Sequence, residues 1–189
     1  MHTLQDWLQV HCSAATFNKM PQSGKPHFMV FDRTYTLYTP NPKNLDKAYT
    51  LSENNKAMVK RLTKKHVKCL ILSGHGTGDA KAHLKSCKDD FNGTIDPSHI
   101  IFDTKYHGKD SAKKAVIRNL QLYGSIDTPT AFLMRIYAQF RSIFWTYKVG
   151  MVGDGNNDVE ALEQADFSVG VYTNTVSYTH LTLPTKRIV

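Results

Sequence analysis

Residues 28–37 read Phe28-Met29-Val30-Phe31-Asp32-Arg33-Thr34-Tyr35-Thr36-Leu37, four consecutive apolar residues that end on an acid. A short unbroken apolar run is the pattern of a strand buried on both faces of a parallel sheet. The expected strand covers about 27–31, and Asp32 stands at its carboxyl end. The same grammar returns later in the chain, where Val149-Gly150-Met151-Val152 leads into Gly153-Asp154-Gly155-Asn156-Asn157-Asp158. Carboxylates at the ends of buried strands can gather one hard divalent cation, and one of them can attack phosphorus. For each acid the blander role is a turn or cap residue.

Between these two anchors, strands and helices alternate. Ser52 to Lys65 reads as a helix with Ser52 as N-cap and Met58, Val59 and Leu62 on one side. Cys69-Leu70-Ile71-Leu72 reads as a second buried strand, followed by Ser73-Gly74-His75-Gly76 and a helix over roughly 77–88. Ile100-Ile101-Phe102 is a third short strand, after which Asp110 caps a helix carrying Ala112, Val116, Ile117 and Leu120. A further helix is expected over 130–146, a strand over 149–152, a short helix over 158–164 and a strand over 168–171. This alternation predicts an α/β domain with a mainly parallel, three-layer, Rossmann-like sheet. Ligands of such sheets sit beyond the carboxyl ends of the strands, where Asp32, Ser73 and Asp154 all fall.

Length and composition set the outer bounds. At 189 residues, 41% hydrophobic and 21% charged, the chain suits one soluble domain with a real core. No apolar stretch reaches the roughly 18–20 residues that span a bilayer, and residues 1–7 lack a secretory signal's pattern. Cys12, Cys69 and Cys87 are few, odd in number and not spaced as metal ligands. They read as reduced, packed thiols of a cytoplasmic protein. The formal charge of +8 is dispersed along helical faces such as Lys60-Arg61-Leu62-Thr63-Lys64-Lys65. Such a surplus would draw in a phosphorylated substrate, small molecule or macromolecule, but charge alone does not choose the partner, and nucleic acid is not indicated.

The ordered motifs resemble those of the haloacid dehalogenase superfamily of aspartyl phosphotransferases. In detail they are most similar to the phosphorylation domain of P-type cation ATPases. The resemblance runs over about residues 27–172 and is strongest at Met151 to Asp158 with Ala161-Leu162 and Ala165-Asp166. It implies Asp32 as nucleophile, forming an aspartyl-phosphate. It implies Mg²⁺ held by Asp32, Asp154 and Asp158 with the main-chain carbonyl of Thr34. It also implies Ser73 and Lys113 on the phosphoryl oxygens; Lys109 is the rival lysine, and spacing back from Leu120-Gln121 favours Lys113. His75 reads as a solvent-exposed loop histidine, with substrate contact as the alternative.

Two features qualify the chemistry that the resemblance implies. Hydrolytic members usually carry a second aspartate two residues after the nucleophile, whereas this chain, like the ATPases, has Thr34. Slow dephosphorylation is therefore expected, since general acid–base help is worth about 10²–10⁴-fold. Arg33 and Tyr35 stand where the ATPases have Lys and Gly, and Tyr35 is expected to crowd the site. Only 35 residues separate Leu37 from Ser73, and 35 separate Ser73 from Lys109. That leaves no room for a nucleotide-binding domain or a sizeable cap. The alternatives to a phosphatase are a catalytically impaired binding module and a fragment of a P-type ATPase. Phe132 to Tyr147, an aromatic stretch, reads first as a helix packed on the sheet; a contact surface for a homo-oligomer is the other reading.

The expected organisation is an N-terminal helix (3–19) and linker over 1–26, a catalytic domain over 27–175, and a tail over 176–189. Val176-Ser177-Tyr178-Thr179-His180-Leu181 and onward resembles translated sequencing-adapter read-through. The natural protein is expected to continue differently after about Thr175. Without Lys186 and Arg187 the charge of +8 falls to +6.

Overall fold

The structure, a computed structural model, describes residues 15–19, 26–40, 49–74, 80–106, 110–154 and 158–171. Cys12, His75, Lys109, Asn156, Asn157 and the tail lie outside the described residues. The strands are β1 (Ala15–Lys19), β2 (Phe28–Asp32), β3 (Tyr38–Pro40), β4 (Tyr49–Leu51), β5 (Lys68–Ser73), β6 (Ile100–Phe102), β7 (Val149–Gly153) and β8 (Phe167–Val171). The helices, renumbered along the chain, are α1 (Glu53–Lys64), α2 (Ala80–Asp90), α3 (Asp110–Tyr123), α4 (Phe132–Ser142) and α5 (Val159–Gln164).

Six strands form one sheet in the order β1-β8-β7-β2-β5-β6. β2 runs parallel to both β5 and β7, with Asp32 beside Leu72 and Phe31 beside Val152. β1 alone is antiparallel, pairing Phe17 with Val169. This corrects the expected helix over 3–19 in its described part: Ala15–Lys19 is an edge strand. The partner that stabilises it lies about 150 residues away, beyond the reach of a local apolar pattern.

Strand parity builds the layers. Met29, Phe31 and Ile71 face α1 and α2, joining Met58, Val59, Leu62, Cys87 and Phe91 in one core. Val30, Leu70, Leu72 and Met151 face the other way, onto Val116, Ile117 and Leu120 of α3 and Ala161 of α5. The α/β three-layer expectation is met. Burial pushes the thiols of Cys69 and Cys87 up to about 12 and 11, so both are packing groups.

α1 begins where expected, with Ser52 Oγ accepting from the Asn55 N–H at 3.1 Å. Asn55 Nδ2 then donates to the carbonyls of Thr36 and Leu37 at 3.2 and 2.9 Å, tying the helix to the loop after Asp32. β3 and β4 make a small antiparallel hairpin over that loop. It is the addition to the sheet that the described residues show directly after β2.

α4 departs from expectation. Only Ala138 of this helix is buried, while Phe132, Leu133, Met134, Ile136, Tyr137 and Phe140 are 40–77% exposed. The correction is physical: apolar spacing fixes which residues share a face, not what that face meets.

Candidate active site

The sheet order reverses at β2. After β2 the chain builds β5 and β6 on one side, then returns to lay β7 and β8 on the other. The crevice beyond the carboxyl ends of β2 and β7 is therefore a topological switch point, where α/β sheets take ligands. Asp32 ends β2 and Asp154 directly follows β7. Asp158 precedes α5, which turns back from the same end. One carboxylate oxygen from each acid lies within 4.8 Å of the others.

Lys113, in the first turns of α3, reaches into this cluster. Its Nζ donates to Asp32 Oδ1 at 2.6 Å and to Asp158 Oδ1 at 2.5 Å, and both Lys113 and Asp158 are wholly buried. Gly153 makes the approach of Asp158 feasible. A Cβ at that position would fall 2.5 Å from Asp158 Oδ2 and 2.8 Å from its Cγ. The first glycine of the Gly-Asp-Gly motif is thus a positioning residue that the sequence reading passed over. Its signal was a glycine ending a buried strand.

Electrostatics follow from burial. Desolvation, with the nearby Asp158 charge, pushes Asp32 up to about 7 against the opposing pull of Lys113. Desolvation and Asp158 likewise push Asp154 up to about 6. Lys113 is desolvated too, yet Asp32 and Asp158 outweigh that and hold it above the ordinary lysine value. Three carboxylates and one ammonium leave a formal charge of −2 when all are ionised. One cation cannot satisfy three acids, so a proton or a second cation is needed.

A divalent ion fits this donor set. All three acids offer hard oxygens, and Asp158 Oδ2 is buried without a hydrogen-bond partner. Trans ligands of a small octahedral dication stand about 4 Å apart, the scale on which these oxygens are gathered. The charge deficit equals that of the ion.

The remaining candidates stand at the end of the neighbouring strand β5 and in the loop after β2. Ser73 ends β5, one residue beyond the Leu72 that pairs with Asp32, and is buried. Its carbonyl accepts from the Asp103 N–H at 3.1 Å. Thr34 is half-buried in the loop after β2, in a bridge with Tyr38. Tyr35, beside it, has φ +59°, a left-handed conformation that glycine adopts far more readily. Arg33 points away from the acids. It is buried against the Tyr38 ring at 4.4 Å, with Phe102 at 5.7 Å and Nη2 3.4 Å from His83 Nδ1.

No protein-family model and no curated protein matches the chain. Among solved structures it is similar to the cobalt-bound deoxy-D-mannose-octulosonate 8-phosphate phosphatase of Haemophilus influenzae. Identity is 12% and the TM-score 0.44, over 76% of this chain and 67% of that one. It is similar also to the 3-deoxy-D-manno-octulosonate 8-phosphate phosphatase of Moraxella catarrhalis, solved with magnesium, phosphate and KDO. There identity is 14% and the TM-score 0.45, over 88% and 73% of the two chains. A third likeness is to DsGPDH of Dunaliella salina, at 14% identity and TM-score 0.45. It covers 80% of this chain but only 25% of that one. Likeness of this degree assigns neither activity nor substrate. The class is set by the chain itself: a Rossmann-like α/β domain with a buried acidic cluster at its switch point.

Proposed function

We propose that the chain is a haloacid dehalogenase-type phosphotransferase that hydrolyses phosphoric monoesters through an aspartyl-phosphate on Asp32. A carboxylate oxygen of Asp32 attacks phosphorus while the P–O bond to the alcohol breaks. The leaving oxygen takes its bonding pair and then a proton from water, since Thr34 supplies no acid. Water afterwards attacks the phosphoryl group, releasing inorganic phosphate and restoring the carboxylate. Splitting one displacement in two is what a buried carboxylate at a strand end is suited to do.

The observation that carries this reading is the Lys113 amine bridging Asp32 and Asp158 at 2.6 and 2.5 Å. It neutralises part of the acid charge beside the nucleophile and presents fixed positive charge to an incoming phosphoryl oxygen. Ser73 at the end of β5 would add a hydroxyl donor on the neighbouring side. Mg²⁺ held by Asp32, Asp154, Asp158 and the Thr34 carbonyl would offset the charge of an anionic phosphate approaching an anionic carboxylate. Asp32 itself, pushed up to about 7, must be ionised to react.

The test is turnover of p-nitrophenyl phosphate or acetyl phosphate with Mg²⁺, comparing the natural residue with Asp32→Asn. The expected loss is at least about 10³-fold. Equal turnover in a folded Asp32→Asn protein would overturn the assignment. A second reading, a phosphate-binding module without efficient turnover, is favoured by Thr34 and by the left-handed Tyr35 beside it. Mg²⁺-dependent binding of beryllium fluoride with no hydrolysis of either ester would select it.

A further inference from the structure

The exposed helix α4 is the largest departure from ordinary surface chemistry among the described residues. At about 100° per residue, Phe132, Ile136, Phe140 and Ile143 form one row, with Leu133 and Tyr137 in the row beside it. Together these cover an arc of about 140°. Ala138, the single buried residue of the helix, lies opposite that arc. Arg141, on the attached side, donates from Nη2 to the Leu122 carbonyl at 2.6 Å and stacks over Trp145 at 4.9 Å. The helix is thus fastened by its small and polar side, and its apolar side is turned outward.

We infer that this face is the interface of a two-fold homodimer, one copy of α4 packing antiparallel on another. Three observations favour a second copy over other occupants. The first is area. Aromatic side chains bury about 150–250 Å² each, and the six outward residues are 40–77% exposed. The face therefore offers roughly 600–800 Å² of apolar surface, about what a standard stable interface takes from each partner. The largest patch on an ordinary monomer is about 300–600 Å².

The second is composition. Residues 128–147 contain Phe, Tyr, Trp, Met and two Arg but no Lys, Asp or Glu. That is the pattern of an interface core, enriched in aromatics, Met and Arg and depleted of the other charges. A helix lying on an anionic membrane would carry a row of cations on its polar side. Here Arg141 is engaged with Leu122 and Trp145, which leaves Arg135 as the only other cation of α4.

The third is placement. The segment after α4 meets the amino end of β2, with the Trp145 ring 5.5 Å from His27. The acids lie beyond the carboxyl end of the same strand. A dimer through α4 covers neither catalytic crevice. It also requires nothing of the proposed chemistry, so its success or failure is separable from that of the phosphatase reading.

The test is sedimentation velocity of the full chain from about 1 to 100 μM. Wild type should sediment as one dimeric species, twice the 21.4 kDa chain mass. Leu133→Glu/Phe140→Glu should sediment as a monomer with an unchanged far-ultraviolet circular dichroism spectrum, since both side chains are already exposed in the single chain. Mixing that variant with Leu133→Arg/Phe140→Arg should restore a dimer, because a two-fold interface brings opposite charges together. A wild type that stays monomeric at 100 μM overturns the inference. So does a continuous series of growing aggregates, or a wild type that is monomeric in solution and floats with phosphatidylserine vesicles. Asp32→Asn should remain dimeric.

Discussion

The two ends of this sheet reverse the usual sorting of residues in opposite directions. At the carboxyl end, charge is inside: Lys113 and Asp158 are wholly buried beside Asp32. Beyond the amino end, apolar surface is outside: α4 turns its aromatic rows to solvent. Buried charge and large exposed apolar patches are the two informative exceptions to ordinary burial. The difference lies in what resolves each. The acids offset one of their three charges internally, through a lysine on a neighbouring helix, and keep a deficit of two charges for a ligand. The helix resolves none of its own among the described residues, and a second copy is its proposed partner.

The largest effect that sharpens this contrast is Lys113→Met. It leaves two buried carboxylates without their cation, a change that typically costs about 3–5 kcal/mol. Phe140→Ser, an equally drastic change of character, should shift the stability of the dilute protein by about 0.5 kcal/mol or less. Chemical denaturation of both at low concentration measures the pair. Equal losses would mean that α4 is covered within the single chain after all. The Lys113→Met loss should also shrink towards pH 5, where Asp32, already pushed up to about 7 by burial, takes up a proton instead.

Next in size is Thr34→Asp. An added carboxyl two residues after Asp32, the proposed nucleophile, should speed breakdown of the proposed phosphoenzyme by about 10²-fold or more. Single-turnover decay of the labelled protein measures it. An unchanged or slower rate in a folded variant would remove Thr34 from the mechanism. No substitution in α4 should alter that rate.

How much of this was legible depended on the distance over which each feature is decided. Phe28–Asp32, Lys68–Ser73 and Val149–Gly153 announced themselves as apolar runs because both their faces are buried. Asp32, Asp154 and Asp158 were legible because each follows such a run, and Lys113 because it stands at a readable distance from the apolar residues of its own helix. β1 was misread as helix: helical spacing over Leu4 to Phe17 outweighed the short Thr16-Phe17 signal, and the register with β8 is set elsewhere. The hairpin of Tyr38–Pro40 and Tyr49–Leu51 went unnoticed, although Tyr and Thr flanking a Pro-Asn-Pro segment carry a strand signal. The outward pose of α4 had no local signal at all, because periodicity is blind to direction.

A third test uses metal and pH. Asp32 and Asp154 are held at about 7 and 6, above the ordinary value near 3.9. The metal-free folded protein therefore binds more protons than the unfolded chain between about pH 4 and 7. Its stability should fall as pH rises through that window, because protonation of these two acids favours the folded state at the low end and is lost at the high end. This is the reverse of ordinary acid denaturation. Mg²⁺ competes with those protons, so its stabilisation should be larger at pH 8 than at pH 5. Thermal melts in chelator and in Mg²⁺ at the two pH values read both effects. A pH-independent response to Mg²⁺ would mean that the ion binds outside the acidic cluster.

The smallest effect concerns the backbone at the rim of the site. Tyr35 adopts φ +59°, which costs a residue with a Cβ about 1–2 kcal/mol. Its ring, edge-on to Tyr49 with centroids 6.1 Å apart, returns about 0.5–1.5 kcal/mol. Tyr35→Ala forfeits the ring and keeps the strain, so it should destabilise by about 1 kcal/mol. Tyr35→Gly forfeits the ring, releases the strain and loses some chain entropy. It should therefore stay near the wild-type stability and exceed the alanine variant by about 1 kcal/mol. Alanine equal to glycine would mean that the loop after the nucleophile is not held in the left-handed form. The Thr34 carbonyl would then lack the fixed direction that its proposed role as a metal ligand requires.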